Sequence, residues 1–514
     1  MKISQRWAQM ALDKGDLITR CEQYARWTVP GIMPEDGVGA DSSLLRSYVI
    51  VGPRLINNLS NKIVEVMFPQ SRPFFSVTLS ADVAKEIRQT AGEDELAAMA
   101  DQTRREARWL EEYAVSKMRL VEYRPTAVDV AQQLIVCGNV LMRRLPNNRR
   151  IAYNIRDYCV RRNLDGSVKE VVLKDSVMPA DLSPYVLEQI KAEKPSLIPE
   201  DETQQKPMTL YTHYTRASSK MWQEKQEIED CEITGVTKYT DVKFPCIALA
   251  WSLRRGEHYG RGLVEEHRVV FHNLDRTGEA LFDMYEIAAE IKFLVKPGSL
   301  VDVTNLNRTR RGSYHSGQEG DVTAIQVNKY QDLQVVEGAV ARMERELSYA
   351  FLSGAGTTRE AERVTAMEIQ YQALELETAF GGLYSRLALE WQQKEAEYLL
   401  ATIGNEIKVG GKSAFDVQVT TGLESLSREG ELANFRASVS DLALLNEVPE
   451  DIRTAINPQK VASFLFGQRG VKFSEFLYTA DEMAAMQQQR QEQAQQEQQA
   501  GVQAEAAKVA MKEA

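Results

Sequence analysis

The sequence predicts a mainly helical α+β protein. Apolar residues recur every three or four positions in 270–291, 336–351 and 369–391, and this spacing indicates long amphipathic helices. The region 151–260 instead carries short alternating segments separated by turn residues, which is typical of β-strands. With 514 residues the chain is too long for one ordinary core, so its length predicts about three modules.

The first 150 residues predict helices and one strand. An apolar stripe from Leu45 to Val66 predicts a helix capped near Ser43 that ends before Pro69. Alternation over 75–79 predicts a strand, and the apolar stretch 126–142 predicts a further helix.

The β-rich region contains one clear hairpin signal. An Asp-Gly step at 165–166 separates two runs rich in β-branched residues, and such a step favours a tight turn. Further strands are expected at 210–215 and 247–251, and another much later at 415–419.

Two long helices and a polar insert follow Gly262. The first helix should span about 30 residues, or about 45 Å. A polar insert occupies 294–330, and a small-residue loop separates the second helix from a third one. Thr365 and Glu368 have the spacing of a capping box that opens this third helix. Gly381-Gly382 should weaken or bend it, by about 1 kcal/mol per glycine relative to alanine.

The composition excludes several classes of protein. The net charge is −11, whereas proteins that grip DNA phosphates usually have a basic excess. We find no signal peptide and no apolar stretch long enough for a membrane span. The five cysteines are scattered without a CxxC pair, which favours free thiols in a reducing cytosol.

No motif of an enzyme, cofactor or metal site is present. The sequence lacks a phosphate-binding P-loop, a GxSxG elbow and an HExxH helix, which argues against a nuclease or a packaging ATPase. His267 and His272 are five residues apart and should point to different faces of their helix. We therefore predict no catalytic residue, no metal and no cofactor.

The sharpest basic cluster lies in the polar insert. Arg308, Arg310 and Arg311 fit a solvated loop and a docking site equally well, because guanidinium groups pair with phosphates and carboxylates alike. The residues alone leave both interpretations open.

Several stretches resemble one family over nearly the whole chain and in the same order. They are Trp27-Thr28-Val29-Pro30, the helix from Val51 to Leu59, Val136 to Leu141 with a Gly-Asn turn inside a helix, Gly256 to Glu266, Ser348 to Leu352, Glu362 to Ile369, Gly381 to Ser385, and Thr421 to Glu424. In these stretches the chain resembles the portal, or head-to-tail connector, proteins of short-tailed bacteriophages.

The resemblance implies a portal fold assembled as a ring of about twelve copies around an axial channel. It implies these divisions: 1–260 wing, 261–292 first stem helix, 293–330 clip, 331–352 second stem helix, 353–364 tunnel loop, 365–424 long helix and strand returning to the wing, 425–480 crown, and 481–514 a Gln/Ala-rich tail, either an exposed helix or disordered.

The resemblance also implies a function and partners. The ring would sit at one capsid vertex of the virion after assembly in the host cytoplasm, and double-stranded DNA would pass through it during packaging and ejection. The partners would be the terminase large subunit, a tail adaptor, the scaffolding and major capsid proteins, and internal core proteins, with no membrane. A helical scaffold or adaptor oligomer without DNA passage is the alternative.

Two sets of site residues follow from the resemblance. Arg308, Arg310 and Arg311 would dock partners on the clip. The tunnel loop would act as a valve at the narrowest point, because small residues between two anchored helices favour no single backbone state. Its candidate residues are Ser353, Gly354, Gly356, Thr357, Thr358, Arg359, Glu360 and Arg363.

Overall fold

The computed structural model describes residues 2–35, 43–44, 47–70, 73–79, 109, 111–199, 205–218, 220–289, 292–308, 314, 316–325, 330–353, 366–403, 417–420, 438–442 and 458–468. The chain divides into two compact units, Met1–Ser425 and Leu426–Ala514. None of the helices in the described ranges is long and apolar enough to cross a membrane.

Helices dominate the described part of the chain. They are α1 (Ile3–Ala11), α2 (Leu17–Trp27), α3 (Gly52–Met67), α4 (Tyr123–Cys137), α5 (Pro184–Glu193), α6 (Leu263–Glu266), α7 (Arg268–Ala289), α8 (Val303–Arg308), α9 (Tyr330–Ala350), α10 (Ala366–Ala379), α11 (Leu383–Leu387), α12 (Lys394–Ile403) and α13 (Pro458–Gln468). A π-helical turn, Ala388–Gln393, lies between α11 and α12.

The strands form four antiparallel sheets in the described residues. The strands are β1 (Ser76–Leu79), β2 (Asn139–Arg144), β3 (Arg150–Tyr153), β4 (Tyr158–Arg162), β5 (Val168–Val177), β6 (Met208–Ser218), β7 (Met221–Ile228), β8 (Cys231–Thr240), β9 (Cys246–Ala250), β10 (Lys292–Val295), β11 (Val322–Ile325) and β12 (Val417–Thr420). Their orders are β4-β5-β6-β7-β8, β3-β2-β9, β1-β12 and β10-β11. The mainly helical α+β prediction is therefore confirmed.

The hairpin predicted at the Asp-Gly step is present as β4 and β5. Gly166 has φ +85°, a left-handed conformation that a residue without Cβ adopts at little cost. The Asp165 carboxylate accepts hydrogen bonds from the backbone and hydroxyl of Ser167, which fixes the turn. The strands predicted at 75–79, 210–215, 247–251 and 415–419 correspond to β1, β6, β9 and β12, although residues 415–416 lie outside the described ranges.

The core of the first unit lies where α3 and α4 pack together. One face of α3 is buried through Leu55, Ile56, Leu59 and Ile63. The helix predicted from about Ser43 begins instead at Gly52, with proline at its first turn. Proline suits this position because its missing N–H has no partner inside the helix there.

The helix predicted over 126–142 is present, but it ends at Cys137, so its predicted C-terminal end and the implied Gly-Asn turn inside a helix are wrong. Gly138 adopts φ +72° as the helix cap, and Asn139 already begins β2. A left-handed glycine satisfies the last carbonyls of a helix and turns the chain away from its axis. Apolar residues continue on both sides of the turn because both elements are buried.

The single helix predicted after Gly262 is divided at His267 into α6 and α7. The polar insert that follows contains β10, α8 and β11, with β10 and β11 paired. Helix α9 then returns alongside α7, and we call α7 and α9 the stem pair.

The predicted break at Gly381-Gly382 is confirmed. Both glycines are left-handed, with φ +56° and +88°, and they separate α10 from α11. Helix α10 begins at Ala366, as the capping box predicts, but Thr365 itself lies outside the described residues. In the second unit, residues 438–442 and α13 are helical, and Ala462 and Phe466 pack with Leu442.

Candidate functional site

The stem pair ends in a well-defined turn at the start of the predicted tunnel loop. Leu352 is left-handed, with φ +53°, and its N–H donates to the carbonyl of Tyr349 at 3.1 Å. The N–H of Ser353 donates to the carbonyl of Ser348 at 2.8 Å. These two bonds form a Schellman motif, which satisfies the last carbonyls of a helix. Asn58 also donates to the Ser353 hydroxyl at 3.2 Å, so the loop leaves α9 from a fixed point.

Aromatic rings hold the base of the stem pair against the N-terminal helices. Phe271 on α7 meets Phe351 edge to face, with ring centroids 5.8 Å apart. Trp27 at the end of α2 stacks on Phe271 at 6.3 Å. Both phenylalanines are fully buried. Apolar burial and ring geometry therefore fix both stem helices at this end.

Asp275 attaches α7 to the segment before α3. Its carboxylate accepts hydrogen bonds from the Trp27 indole at 3.2 Å, the Ser47 hydroxyl at 2.7 Å and the Tyr48 backbone at 2.9 Å. One turn further, a Cβ on Gly278 would lie 2.9 Å from the Tyr48 Cβ. The segment thus crosses the helix where the glycine permits close approach.

The far part of the stem pair is uncovered. From Glu279 to Ile287 no α7 side chain is buried, and on α9 from Leu333 to Glu346 none is. The Tyr285 hydroxyl donates to the Glu337 carboxylate, which links the two helices. Large exposed apolar side chains here are Phe282, Tyr285, Ile287 and Val335. Exposed apolar side chains clustered in this way indicate an interaction surface.

The stem pair is acidic. Each of its two helices carries two arginines against four carboxylates, so each contributes −2. Such a surface repels phosphate on average, and it has few cations that could hold a duplex in place.

Backbone contacts fix the segment that precedes α6. Asn139 donates to the Gly260 carbonyl and accepts from the Gly260 N–H, both at 2.7 Å. A Cβ on Gly138 would lie 2.3 Å from the backbone nitrogen of Gly262, and one on Gly262 would lie 2.7 Å from the Ile135 carbonyl. Gly260, Gly262 and the Gly-Asn step at 138–139 therefore pack tightly against one another.

A buried ion cluster anchors the segment that returns after the tunnel loop. Glu395 on α12 accepts from Arg144 Nε at 2.8 Å and from Arg150 Nη2 at 2.9 Å, and all three side chains are buried. Burial alone raises the pKa of the Glu395 carboxyl, but the two guanidinium groups outweigh it and lower the pKa below its ordinary value. We call Arg144, Arg150 and Glu395 the return clamp.

Helix α10 lies between the loop and the return clamp, and its side chains are described from Tyr371 onward, Ala373 excepted. Lys62 on α3 pairs with Glu375 at 2.5 Å, and Trp251 meets Phe380 edge to face at 5.3 Å. Tyr371 and Leu374 are exposed. The Gly381-Gly382 break therefore lies between a partly exposed helix and a clamped segment.

The predicted site residues fall partly inside the described structure. Ser353 lies at the base of the stem pair, whereas Gly354, Gly356, Thr357, Thr358, Arg359, Glu360 and Arg363 lie outside the described residues. Arg308 is exposed at the end of α8, and Arg310 and Arg311 lie outside. Ser353 and Arg308 are at opposite ends of the stem pair, which is about 30 Å long.

The histidines pack against aromatic rings. His267 lies 5.9 Å from the Phe351 ring and His272 lies 6.0 Å from the Trp27 ring, which agrees with their predicted different faces. In the described ranges no three His, Cys, Asp or Glu side chains are grouped as a metal site would require.

Sequence reasoning missed Asp275 and the return clamp. Asp275 is one of four carboxylates on its helix, and spacing alone does not distinguish it. Arg144 and Arg150 flank a turn in a buried region. Two buried cations side by side indicate that a buried carboxylate from elsewhere in the chain pairs with them.

Comparison with known protein families shows which family has a sequence like this one. The family described as "Bacteriophage head to tail connecting protein" matches residues 1–476, which include the stem pair, the insert and the return clamp. This chain belongs to that family. The membership confirms the resemblance to phage portal and connector proteins.

Curated relatives extend over nearly the whole chain. The portal protein of Enterobacteria phage SP6 is 28% identical over 503 residues, covering 98% of this chain and 95% of its own. The portal proteins of Enterobacteria phage T3 and Escherichia phage T7 are each 29% identical; they cover 92% and 91% of this chain and 87% of their own. A chain in the solved structure of the virion of a native gene transfer agent particle covers 83% of this chain and 89% of its own at 11% identity, with a TM-score of 0.36.

Proposed function

We propose that this chain is the portal subunit of a short-tailed phage. About twelve copies form the connector ring at one capsid vertex. The observation that carries this proposal is the match to the connector family over residues 1–476. Relatives named as portal proteins, similar over nine-tenths of the chain, support it.

The stem pair supports a ring of copies. Phe282 and Ile287 on α7 and Val335 on α9 are exposed in the single chain. In a ring each copy presents one side of its stem pair to the next, which would remove these side chains from water. We therefore expect the stem pairs of neighbouring copies to cover these side chains.

The channel role follows from charge and position. An acidic stem lets DNA slide without a strong grip, and the tunnel loop 353–364 leaves the stem pair from the turn at Leu352. Arg359 and Arg363 would touch phosphates transiently, while Glu360 limits that contact. The loop would then hold packaged DNA in place.

We assign the insert 293–330 to the clip, which binds the terminase large subunit during packaging and the tail adaptor afterwards. Exposure of Arg308 supports this assignment. Replacing Arg308, Arg310 and Arg311 by alanine should leave rings intact and reduce packaging or tail attachment. Normal yields of filled, tailed particles from this variant would contradict the assignment.

The remaining assignments follow from the same role. The wing is 1–260 with 365–424, and the crown is 425–480. The protein acts as a structural part of the virion, not as an enzyme, and it also meets scaffolding, major capsid and internal core proteins after synthesis in the host cytoplasm.

The decisive experiment measures the assembly of the purified full chain. Sedimentation at micromolar concentration in moderate salt, with negative-stain images, should show closed rings with an axial hole. Phe282→Asp should shift the population to monomers, because it introduces a charge into the apolar stem surface. Leu164→Asp, at an exposed leucine in the β4–β5 turn, is the matched control and should form rings. A monomer, or an oligomer without a hole, would contradict the portal role; the latter is what a scaffold predicts.

A further inference from the structure

Helix α3 contacts the chain on both sides of the tunnel loop. Asn58 contacts Ser353, where the loop begins, and Lys62 contacts α10, the helix that follows the loop. We propose that Lys62 is a positioning residue of the loop: through Glu375 it fixes the direction of α10 and with it the point at which the loop ends. The proposal rests on the role of the loop given under Proposed function and names the side-chain contact on which that role depends.

Both contacts lie on one face of α3. Asn58 and Lys62 are four residues apart, so they are neighbours on the helix surface, about 6 Å apart along its axis. Asn58 donates to the Ser353 hydroxyl at 3.2 Å, and the Lys62 ammonium lies 2.5 Å from the Glu375 carboxylate. A single turn of α3 therefore holds the chain before the loop and the chain after it.

Helix α3 is itself a fixed support. Another of its faces carries four fully buried apolar side chains, Leu55, Ile56, Leu59 and Ile63. A Cβ on Gly52 would clash with the carbonyl oxygen of Trp27, so the first turn lies directly against the end of α2. Asn57 accepts a hydrogen bond from the Gln132 amide of α4 at 2.8 Å. Groups that are attached to α3 are thus attached to the core of the first unit.

The two ends of the loop are held in different ways. The Schellman turn fixes Ser353 by backbone hydrogen bonds, to which the Asn58 contact is an addition. Two helices share no backbone hydrogen bonds, so side chains alone hold α10 on α3. Gln372 of α10 is buried, but its Oε1 has no hydrogen-bond partner in the described part of the chain, and such an oxygen disfavours close packing. The direction of α10 therefore depends on the Lys62–Glu375 pair.

The position of Glu375 on α10 amplifies the effect of this contact. Glu375 lies about 9 Å along the helix from the Gly381 break, whereas Ala366, the first residue of α10, lies about 22 Å from it. A rotation about the break therefore moves Ala366 about 2.5 times as far as Glu375. Buried Leu376 lies as near to the break as Glu375 does, so its packing acts over the same short distance. A small displacement at the ion pair thus becomes a larger one at the loop.

The ion pair is sheltered from solvent. The side chains of Lys62 and Glu375 are 16% and 21% exposed. Salt screens such a partly buried pair less than it screens a pair in open water. The pair can therefore hold α10 on α3 at about 0.15 M salt.

Hydrogen exchange on purified rings of the full chain tests the contact in the absence of DNA and partners. Lys62→Met keeps the aliphatic stem of the side chain but removes its charge, so α10 should separate from α3 more often. We expect the amides from Tyr371 to Leu376 to exchange at least tenfold faster than in wild type. Lys62→Arg keeps the charge and should leave their exchange close to the wild-type rate. Unchanged exchange in Lys62→Met overturns the proposal.

A swap of the two charges separates the ion pair from a general effect of substitution. Lys62→Glu should speed exchange in α10, and the addition of Glu375→Lys should restore slow exchange because the pair forms again with opposite polarity. A double variant that exchanges as fast as Lys62→Glu overturns the proposal. If Lys62→Met does not fold, Glu375→Gln breaks the same pair from the side of α10, and its exchange decides in the same way.

Genome retention tests the effect on the loop. Heads assembled with Lys62→Met should fill but retain at least tenfold fewer genomes than wild-type heads, and the charge-swapped double variant should retain them. Arg54→Met is the matched control, because Arg54 is an exposed cation on the same side of α3 and its loss removes the same charge. Equal retention by Lys62→Met and wild type overturns the positioning role. If the wild-type chain forms no ring, the portal proposal itself fails.

Discussion

At the scale of single residues, Glu395 has the most demanding environment. It is fully buried and pairs with two buried guanidinium groups that lie opposite each other at the turn of the β2–β3 hairpin. Arg144 also donates to the carbonyls of Phe244 and Lys394, at 2.9 and 2.8 Å. The return clamp therefore joins α12 to β2, to β3 and, through Arg144, to the chain before β9.

Glu395→Gln should destabilise the chain strongly. The substitution leaves Arg144 and Arg150 without a counter-charge, at a cost of about 3–5 kcal/mol. Glu397→Gln on the same helix is the control, because Glu397 is only half-buried and pairs with Gln393. Thermal unfolding of the two variants measures the difference. Similar melting temperatures would show that the return clamp contributes little.

The pH dependence of the return clamp has a definite sign. Because the pKa of Glu395 is lowered in the folded protein, its stabilising contribution is complete above the unfolded value of about 4.3 and is lost as the pH falls through the folded pKa. The melting temperatures of wild type and Glu395→Gln should therefore differ at pH 7 and converge only in acid. Convergence near neutral pH would contradict this sign.

At the scale of elements, glycine has a different role between α10 and α11 than it has inside the stem pair. Gly381 is left-handed at a break, whereas Gly338 lies inside α9 with a helical backbone and open space around its Cα. The same residue type thus ends one helix and merely weakens another.

The same substitution should therefore have opposite effects at these positions. Gly381→Ala places a Cβ in a left-handed conformation and should lower stability by about 1 kcal/mol. Gly338→Ala should raise it by about 0.5–1 kcal/mol, because alanine favours a helix. Thermal unfolding of the full chain checks both signs. A stabilising Gly381→Ala would mean that the break is not required by the fold.

Removing the tunnel loop tests its role as a valve. Deletion of 354–360 leaves the Schellman turn at Leu352 and the start of α10 at Ala366 in place, so rings should still form. Heads assembled with this variant should lose their packaged genome. Retention of DNA equal to wild type would remove the valve assignment. Deletion of 163–167, the exposed β4–β5 turn, controls for a general effect of shortening the chain.

Some helices and strands can be predicted from the sequence more directly than others. The strands, the stem helices and the glycine break follow from period and turn chemistry, which are local properties. Helix α3 starts beside Pro53 and α4 ends next to Gly138. Apolar residues continue on both sides of these two boundaries, so the apolar pattern does not show where the helices start or end. Asp275 and Glu395 depend on contacts between distant segments. The two arginines at the β2–β3 turn indicate a buried carboxylate partner, but spacing along the chain does not show which carboxylate it is.

At the scale of the whole molecule, net charge sets the interaction with DNA. Each chain carries −11, and the proposed ring of about twelve copies would multiply this charge around its channel. In that proposed ring, the arginines of the loop and the insert would meet DNA within a repulsive field that all copies produce together.

Purified rings should therefore bind DNA weakly. In a mobility-shift or filter assay at about 0.15 M salt we expect no stable complex, and the affinity should fall only gently with added salt because few phosphates are neutralised. Replacing the stem carboxylates Glu279 and Asp283 by lysine should strengthen binding and steepen the salt dependence. Tight binding by wild type with a steep slope would contradict a sliding channel.

The aromatic stack at the base of the stem pair also determines how late in synthesis this part of the fold can form. Trp27, Phe271 and Phe351 complete one another, yet the first and last are more than 300 positions apart in the chain. Contacts of such long range form late, after the slow closure of a large loop. A nascent chain on the ribosome has no finished stem base until Phe351 has emerged. The base of the stem pair can therefore be completed only after the chain has been synthesised as far as Phe351.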